Sequence, residues 1–139
     1  MKLDNILTFP SFTDQRGTLT CVDSLVRLIP FDVKRVFWIY GVKNDVVRGE
    51  HAHKVCKEIV FAINGTVDVE LTDASGTTRY TLDRPNKGLI IPEMCWCRFS
   101  DFSAGCVLLC FASEEYDASG YINSFNDFLL ELNSVKWLK

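Results

Sequence analysis

The pattern of apolar runs and turn residues along most of this chain is that of short β-strands. Val33 to Tyr40 is rich in β-branched and aromatic residues, which suit a pleated, half-buried surface, and it predicts one strand. Glu58 to Ile63 and Thr66 to Leu71 predict two more, joined at Asn64-Gly65, a type I′ turn signal because both central residues need positive φ. Asp73-Ala74-Ser75-Gly76 turns the chain again into Thr77 to Leu82. Short apolar runs at Leu89 to Ile91, Trp96 to Phe99 and Cys106 to Ala112 add further strands. Many short strands separated by regular turn signals predict an all-β sandwich or barrel. Near the end the period changes: Phe125, Phe128, Leu129 and Leu132 follow helical spacing, and Ser124 with Asp127 three residues on is a loose capping box. This predicts one short C-terminal helix packed on the outside of the barrel.

Composition narrows the class. With 139 residues, 47% of them hydrophobic, the chain is long enough for one domain over residues 1–139 with a real core. Ten Phe, four Tyr and three Trp argue against disorder, and a net charge of −3 offers no broad nucleic-acid footprint. No run of eighteen apolar residues predicts a membrane span. Met1-Lys2-Leu3-Asp4-Asn5 lacks the apolar stretch of a signal peptide, so the expected setting is cytoplasmic. Six cysteines, at 21, 56, 95, 97, 106 and 110, contain no Cys-x-x-Cys pair, and free thiols in a reducing compartment are expected. Cys106 and Cys110 fall in an apolar run, where a thiol behaves as a small hydrophobe.

Both histidines of the chain sit in Arg48-Gly49-Glu50-His51-Ala52-His53-Lys54. Imidazole exchanges protons near neutral pH, and residues at i and i+2 of a strand leave the same face. His51 and His53 are therefore expected to point into one space. The spacing His51-x-His53, four residues, Glu58, then six residues to Gly65 matches the first motif of cupin barrels. A second such motif, with Pro92 ahead of Met94, carries Cys97 where a histidine is usual.

Two chemistries fit these residues. In one, His51, His53 and Glu58, with Cys97 as a fourth donor, ligate zinc or ferrous iron. Glu58 stands five residues after His53, an odd step that puts them on one strand face only across a bend or bulge. In the other, no metal or cofactor takes part: a neutral imidazole removes a proton beside a carbonyl and a neighbouring donor stabilises the enolate. Arg48 and Lys54 would then hold a phosphorylated substrate.

The heptapeptide resembles the Arg-Gly-x-His-Ala-His-Lys motif of the bacterial dTDP-4-keto-6-deoxy-D-glucose 3,4-ketoisomerases. The likeness continues through Asp14-Gln15-Arg16-Gly17-Thr18-Leu19, Lys34-Arg35-Val36, Leu82-Asp83-Arg84-Pro85, Lys87-Gly88-Leu89, Asp101-Phe102-Ser103, Ala112-Ser113, Tyr116-Asp117 and Tyr121-Ile122. It runs in order from about Ile6 to Phe128. What the resemblance implies is a cupin, a double-stranded β-helix or jelly-roll barrel, working without a metal as a homodimer that exchanges N-terminal strands. The implied reaction moves a carbonyl from C4 to C3 of a dTDP-linked 6-deoxyhexose, for the aminated sugars of surface polysaccharides. By the same resemblance His53 is the leading base and His51 its partner, shuttling protons or binding the sugar oxygens, with the reverse order of the two roles as the alternative, and Arg16 and Arg48 contact the sugar or diphosphate.

Two positions depart from the family pattern. Trp38 replaces the usual tyrosine, so Tyr40, two residues along the same strand face, is the candidate to supply a hydroxyl. Cys97 replaces histidine or arginine at a position tied to configuration at C4, which leaves that configuration open. Trp38, Tyr40, Cys97 and Lys54 thus join Arg16 and Arg48 as expected substrate contacts. A catalytically altered sugar-nucleotide-binding relative, or an isomerase or epimerase of another keto-sugar, remains an alternative reading, as does the metal-dependent cupin.

Overall fold

A computed structural model describes residues 5–23 and 28–134; the extreme N-terminal residues of the signal-peptide reading, and both limits of the 1–139 domain, lie outside the described residues. Among the described residues twelve strands and one α-helix follow in order: β1 (Ile6–Thr8), β2 (Ser11–Asp14), β3 (Gly17–Thr20), β4 (Arg35–Tyr40), β5 (Arg48–His53), β6 (Glu58–Asn64), β7 (Val67–Asp73), β8 (Gly76–Leu82), β9 (Lys87–Ile91), β10 (Trp96–Ser100), β11 (Val107–Ala112), β12 (Tyr121–Ile122) and α1 (Phe125–Leu132). Two five-stranded sheets face each other, in the orders β1-β9-β6-β11-β4 and β12-β5-β10-β7-β8. The expected all-β jelly-roll barrel is present. The hairpin of β2 and β3 pairs with neither sheet.

Strand alternation builds the core. Val60 and Ala62 of β6, Leu89 and Ile91 of β9, and Leu108 and Cys110 of β11 point inward from the first sheet. They meet Val69, Leu71, Cys97 and Phe99 of the second. The alternate residues Ile59, Phe61 and Phe111 point outward and are covered by Phe9, Val22, Ile29 and Phe31 of the N-terminal segment. On the opposite flank, Phe128 and Leu132 of α1 pack against Ala52, Met94, Trp96 and Ile122. The helix therefore sits outside the barrel, and the Ser124 hydroxyl caps it by accepting from the Asp127 N–H at 3.2 Å.

The predicted strand over Val33–Tyr40 begins two residues late, at Arg35, because Lys34 N–H donates to the Ala112 carbonyl outside the regular ladder. At the Asn64-Gly65 turn only Gly65 adopts positive φ, +73°, while Asn64 stays in β6, so the turn is there but is not the expected type I′; a Cβ on Gly65 would collide with the Ser103 hydroxyl and Cys106. All six cysteines are free.

Candidate active site

The two histidines are placed by a bulge. On β5, His51 pairs with Cys97 and Arg48 with Phe99, while Arg98 pairs with Gly49 and Glu50 has no partner. Gly49 and Glu50 take φ of +80° and +57°, so two residues of β5 oppose one of β10. The extra residue reverses the alternation. Arg48 and His51, three apart, consequently leave the same face as the inward-pointing Phe99 and Cys97. A Cβ on Gly49 would lie 3.0 Å from the Cys97 carbonyl and from the Phe99 ring, so the strand crossing itself requires glycine.

Glu58 reaches His53 by another route than the sequence pattern suggests. The odd step between them does not matter, because residues 54–57 carry the chain from the second sheet to the first. Glu58 then opens β6 and faces His53 across the barrel mouth, Oε2 to Nε2 at 3.3 Å, with the residues 4% and 3% exposed. The Nε2 atom is buried without an aligned hydrogen-bond partner, so this is a close electrostatic contact rather than a well-formed hydrogen bond. The His53 carbonyl is fixed by the Met94 N–H at 2.7 Å.

One row of the first sheet's ladder runs Arg35, Ala112, Glu58, Ile91. It places an arginine and a carboxylate at one height with only the small Ala112 between them. Opposite stands β12, whose Tyr121 pairs with His53. The Tyr121 ring lies 4.4 Å from the His53 ring and 5.1 Å from the His51 ring, and the two imidazoles are 5.0 Å apart. A 3-10 turn, Ala118–Gly120, delivers Tyr121 to this position. Asp117 caps the turn through Ser119, and Lys54 N–H holds the Gly120 carbonyl at 2.9 Å.

Two cavities open on this cluster. An inner one of about 340 Å³ is lined by His51, Arg48, Glu58, Phe37, Asn123 and Tyr121 among others. A second, of about 550 Å³, is lined by His53, Arg35, Lys34, Tyr116 and Tyr121 among others. Burial, and next the neighbouring His53, push the His51 imidazole below its ordinary value of 6.5, against the pull of Glu58. His51 is thus neutral at neutral pH. The arrangement holds a proton acceptor, a carboxylate against it and a phenol at the edge of a partly closed cavity.

Among the described residues no group of three or more His, Cys, Asp and Glu side chains is placed to hold a metal ion. Cys97 does not join His51, His53 and Glu58 as a donor. It is fully buried in the core beside its cross-strand partner His51, and burial, followed by the Glu58 carboxylate, pushes its thiol well above the ordinary range.

Several expected contacts lie elsewhere. Trp38 and Tyr40 are 58% and 68% exposed, because inward positions of β4 fall on Arg35, Phe37 and Ile39. Lys54 points to the helix side, near Ser124, Asp127 and Glu131. Arg16 is at the free hairpin tip, its side chain 89% exposed and paired with Asp14 at 2.6 Å. Of the expected contacts, only Arg48 lines the inner cavity, together with His51. Arg35, Phe37 and Tyr121 were missed as site residues. Strand parity from Ile39 back to Arg35 could have found two of them, whereas no local pattern signals Tyr121.

The family model described as "FdtA: WxcM-like, C-terminal" matches residues 2–133. A TDP-4-oxo-6-deoxy-alpha-D-glucose-3,4-oxoisomerase of Aneurinibacillus thermoaerophilus is 34% identical over 125 residues, covering 90% of this chain and 89% of that protein. The crystal structure of a 3,4-ketoisomerase from Helicobacter canadensis superposes with a TM-score of 0.88 at 36% identity, covering 93% of this chain and 96% of that one. QdtA, a sugar 3,4-ketoisomerase from Thermoanaerobacterium thermosaccharolyticum solved with TDP, gives a TM-score of 0.86 at 36% identity, over 93% of this chain and 95% of that one.

Proposed function

The chain belongs to the bacterial dTDP-4-keto-6-deoxyglucose 3,4-ketoisomerase family of cupins, and on that premise we propose that it converts dTDP-4-keto-6-deoxy-D-glucose to a dTDP-3-keto-6-deoxyhexose. The observation that carries this reading is the buried His53–Glu58 contact at 3.3 Å, beside His51 at the mouth of the barrel. The C4 ketone acidifies the C3 proton. His53 removes it, and the electron pair forms a C3–C4 double bond while the carbonyl pair moves to O4. A carboxylate against the ring stabilises the imidazolium formed in this step. Return of a proton to C4, loss of the O3 hydroxyl proton and gain of a proton at O4 complete the transfer, with no net change in protons or in oxidation of the sugar. His51, neutral and bordering the inner cavity, binds the sugar oxygens, and Arg48 contacts the sugar or diphosphate.

The same reading includes a homodimer with exchanged N-terminal strands. It is supported by the β2–β3 hairpin, which pairs with neither sheet and exposes Phe12 and Leu19. Exchange would bury these side chains and carry Arg16 to a second copy. A cytoplasmic setting agrees with six free thiols, and the product would supply aminated sugars of surface polysaccharides. NMR of the purified protein with dTDP-4-keto-6-deoxyglucose tests the reaction: a new 3-keto-sugar is expected, and an unchanged substrate spectrum would refute it.

A further inference from the structure

The reaction has two halves, and the histidine half accounts for carbon only. When the proton leaves C3, negative charge gathers on O4, and a donor must meet it there. A proton must afterwards leave O3. The sequence offered Tyr40 for this work, but Tyr40 faces solvent. The phenol that does face the site is Tyr121. It is the cross-strand partner of His53, its ring is within about 5 Å of both imidazoles, and it borders both cavities.

Tyr121 also has a fixed cationic neighbour. Arg35 projects inward at the start of β4, in the same ladder row as Glu58. Its guanidinium lies 5.0 Å from the Phe37 ring centre and 5.7 Å from that of Tyr116, and Tyr121 is among the groups close enough to act on its charge. Its Nε atom is buried without a partner. A guanidinium only donates, so toward the phenol oxygen it can occupy only a lone pair, which leaves the phenol O–H free to donate to another oxygen.

From this geometry we propose that Tyr121 is the acid–base group for the sugar oxygens and that Arg35 is its positioning residue. The proposal rests on the ketoisomerase reading. In the first step His53 takes the C3 proton as Tyr121 gives its hydroxyl proton to O4, leaving an enediol, an imidazolium and a phenolate beside Arg35. In the second the phenolate takes the O3 hydroxyl proton, the O3 pair forms the C3 carbonyl, and C4 takes its proton from the imidazolium. Both groups return to their starting state, with no external oxidant, reductant or proton carrier.

The test compares wild type with Tyr121→Phe, Arg35→Lys and Arg35→Met in steady-state turnover of dTDP-4-keto-6-deoxyglucose, with dTDP binding measured alongside. Phe keeps the ring that packs on both histidines. In Tyr121→Phe, kcat is expected to fall on the order of 10²- to 10⁴-fold, with KM and dTDP affinity within about threefold of wild type. Arg35→Met should lose kcat on the order of tenfold or more, and Arg35→Lys should recover part of it by restoring a cationic donor. Wild-type turnover with Tyr121→Phe kcat within about threefold would overturn the role of Tyr121 and leave the ketoisomerase reading standing. A Tyr121→Phe defect confined to KM, or Arg35→Met and Arg35→Lys indistinguishable, would likewise overturn the assignment. A wild-type protein without turnover would overturn both readings together.

Discussion

His53 and Glu58 belong to different sheets, yet their side chains meet 3.3 Å apart in the barrel mouth. The short loop between them changes sheets, so the contact couples the two halves of the barrel at the site where a proton is to move. Opposed sheets also explain why an imidazole with a carboxylate against it can be so deeply buried.

Glu58→Gln keeps the shape and removes the charge. In the proposed reaction it is expected to lower kcat about 10²-fold or more, with KM little changed, because the imidazolium formed at His53 loses its compensating charge. Steady-state kinetics on the keto-sugar check this.

Gly49→Ala attacks the bulge. The added Cβ meets the Cys97 carbonyl and Phe99 ring at 3.0 Å, and alanine at φ +80° costs about 1–2 kcal/mol. Activity should fall further than that destabilisation explains, since both Arg48 and His51 depend on the bulge for their direction. Urea unfolding and kinetics on the same preparation separate the two effects.

His51 sets a pH dependence of stability. Its folded pKa is depressed below the ordinary 6.5, so in the interval beneath 6.5 the unfolded chain binds a proton that the folded chain refuses. That contribution is complete above 6.5 and is lost as pH falls toward the depressed folded value. His51→Asn is expected to flatten the stability curve in that interval, by at most about 1.4 kcal/mol per pH unit. Denaturant midpoints at a series of pH values above 5 measure it.

Cys97 is buried beside His51 and lines neither cavity. Cys97→Ala is expected to leave the identity of the keto-sugar product unchanged and to cost roughly 1 kcal/mol of stability from the small void. In the folded wild-type protein its thiol should resist alkylation, because burial holds it in the neutral form. Product NMR and mass-mapped alkylation report on these separately.

Much of the fold could be read from local pattern. The Asn64-Gly65 turn, the strands on either side of it and the Ser124-capped helix each depend on residues close in sequence. The face of each strand near the site was harder to read. Trp38 and Tyr40 look equivalent to Phe37 and Ile39 in an all-apolar strand, and only the pairing of Phe37 with inward-facing Cys110 decides which pair turns in. The bulge at Gly49 and Glu50 likewise changes the parity of Arg48 without a motif to announce it. Tyr121 reaches the histidines by pairing with a strand almost seventy residues earlier in the chain, and no local spacing carries such information.

Proton transfer at carbon by His53 is the central claim, and isotope exchange tests it most directly. Incubated in D₂O with dTDP-4-keto-6-deoxyglucose, wild type is expected to place deuterium on the sugar ring carbons as the 3-keto product forms. His53→Asn should still bind dTDP but leave the ring carbons undeuterated. Deuterium incorporation by His53→Asn at a rate near that of wild type would contradict the account.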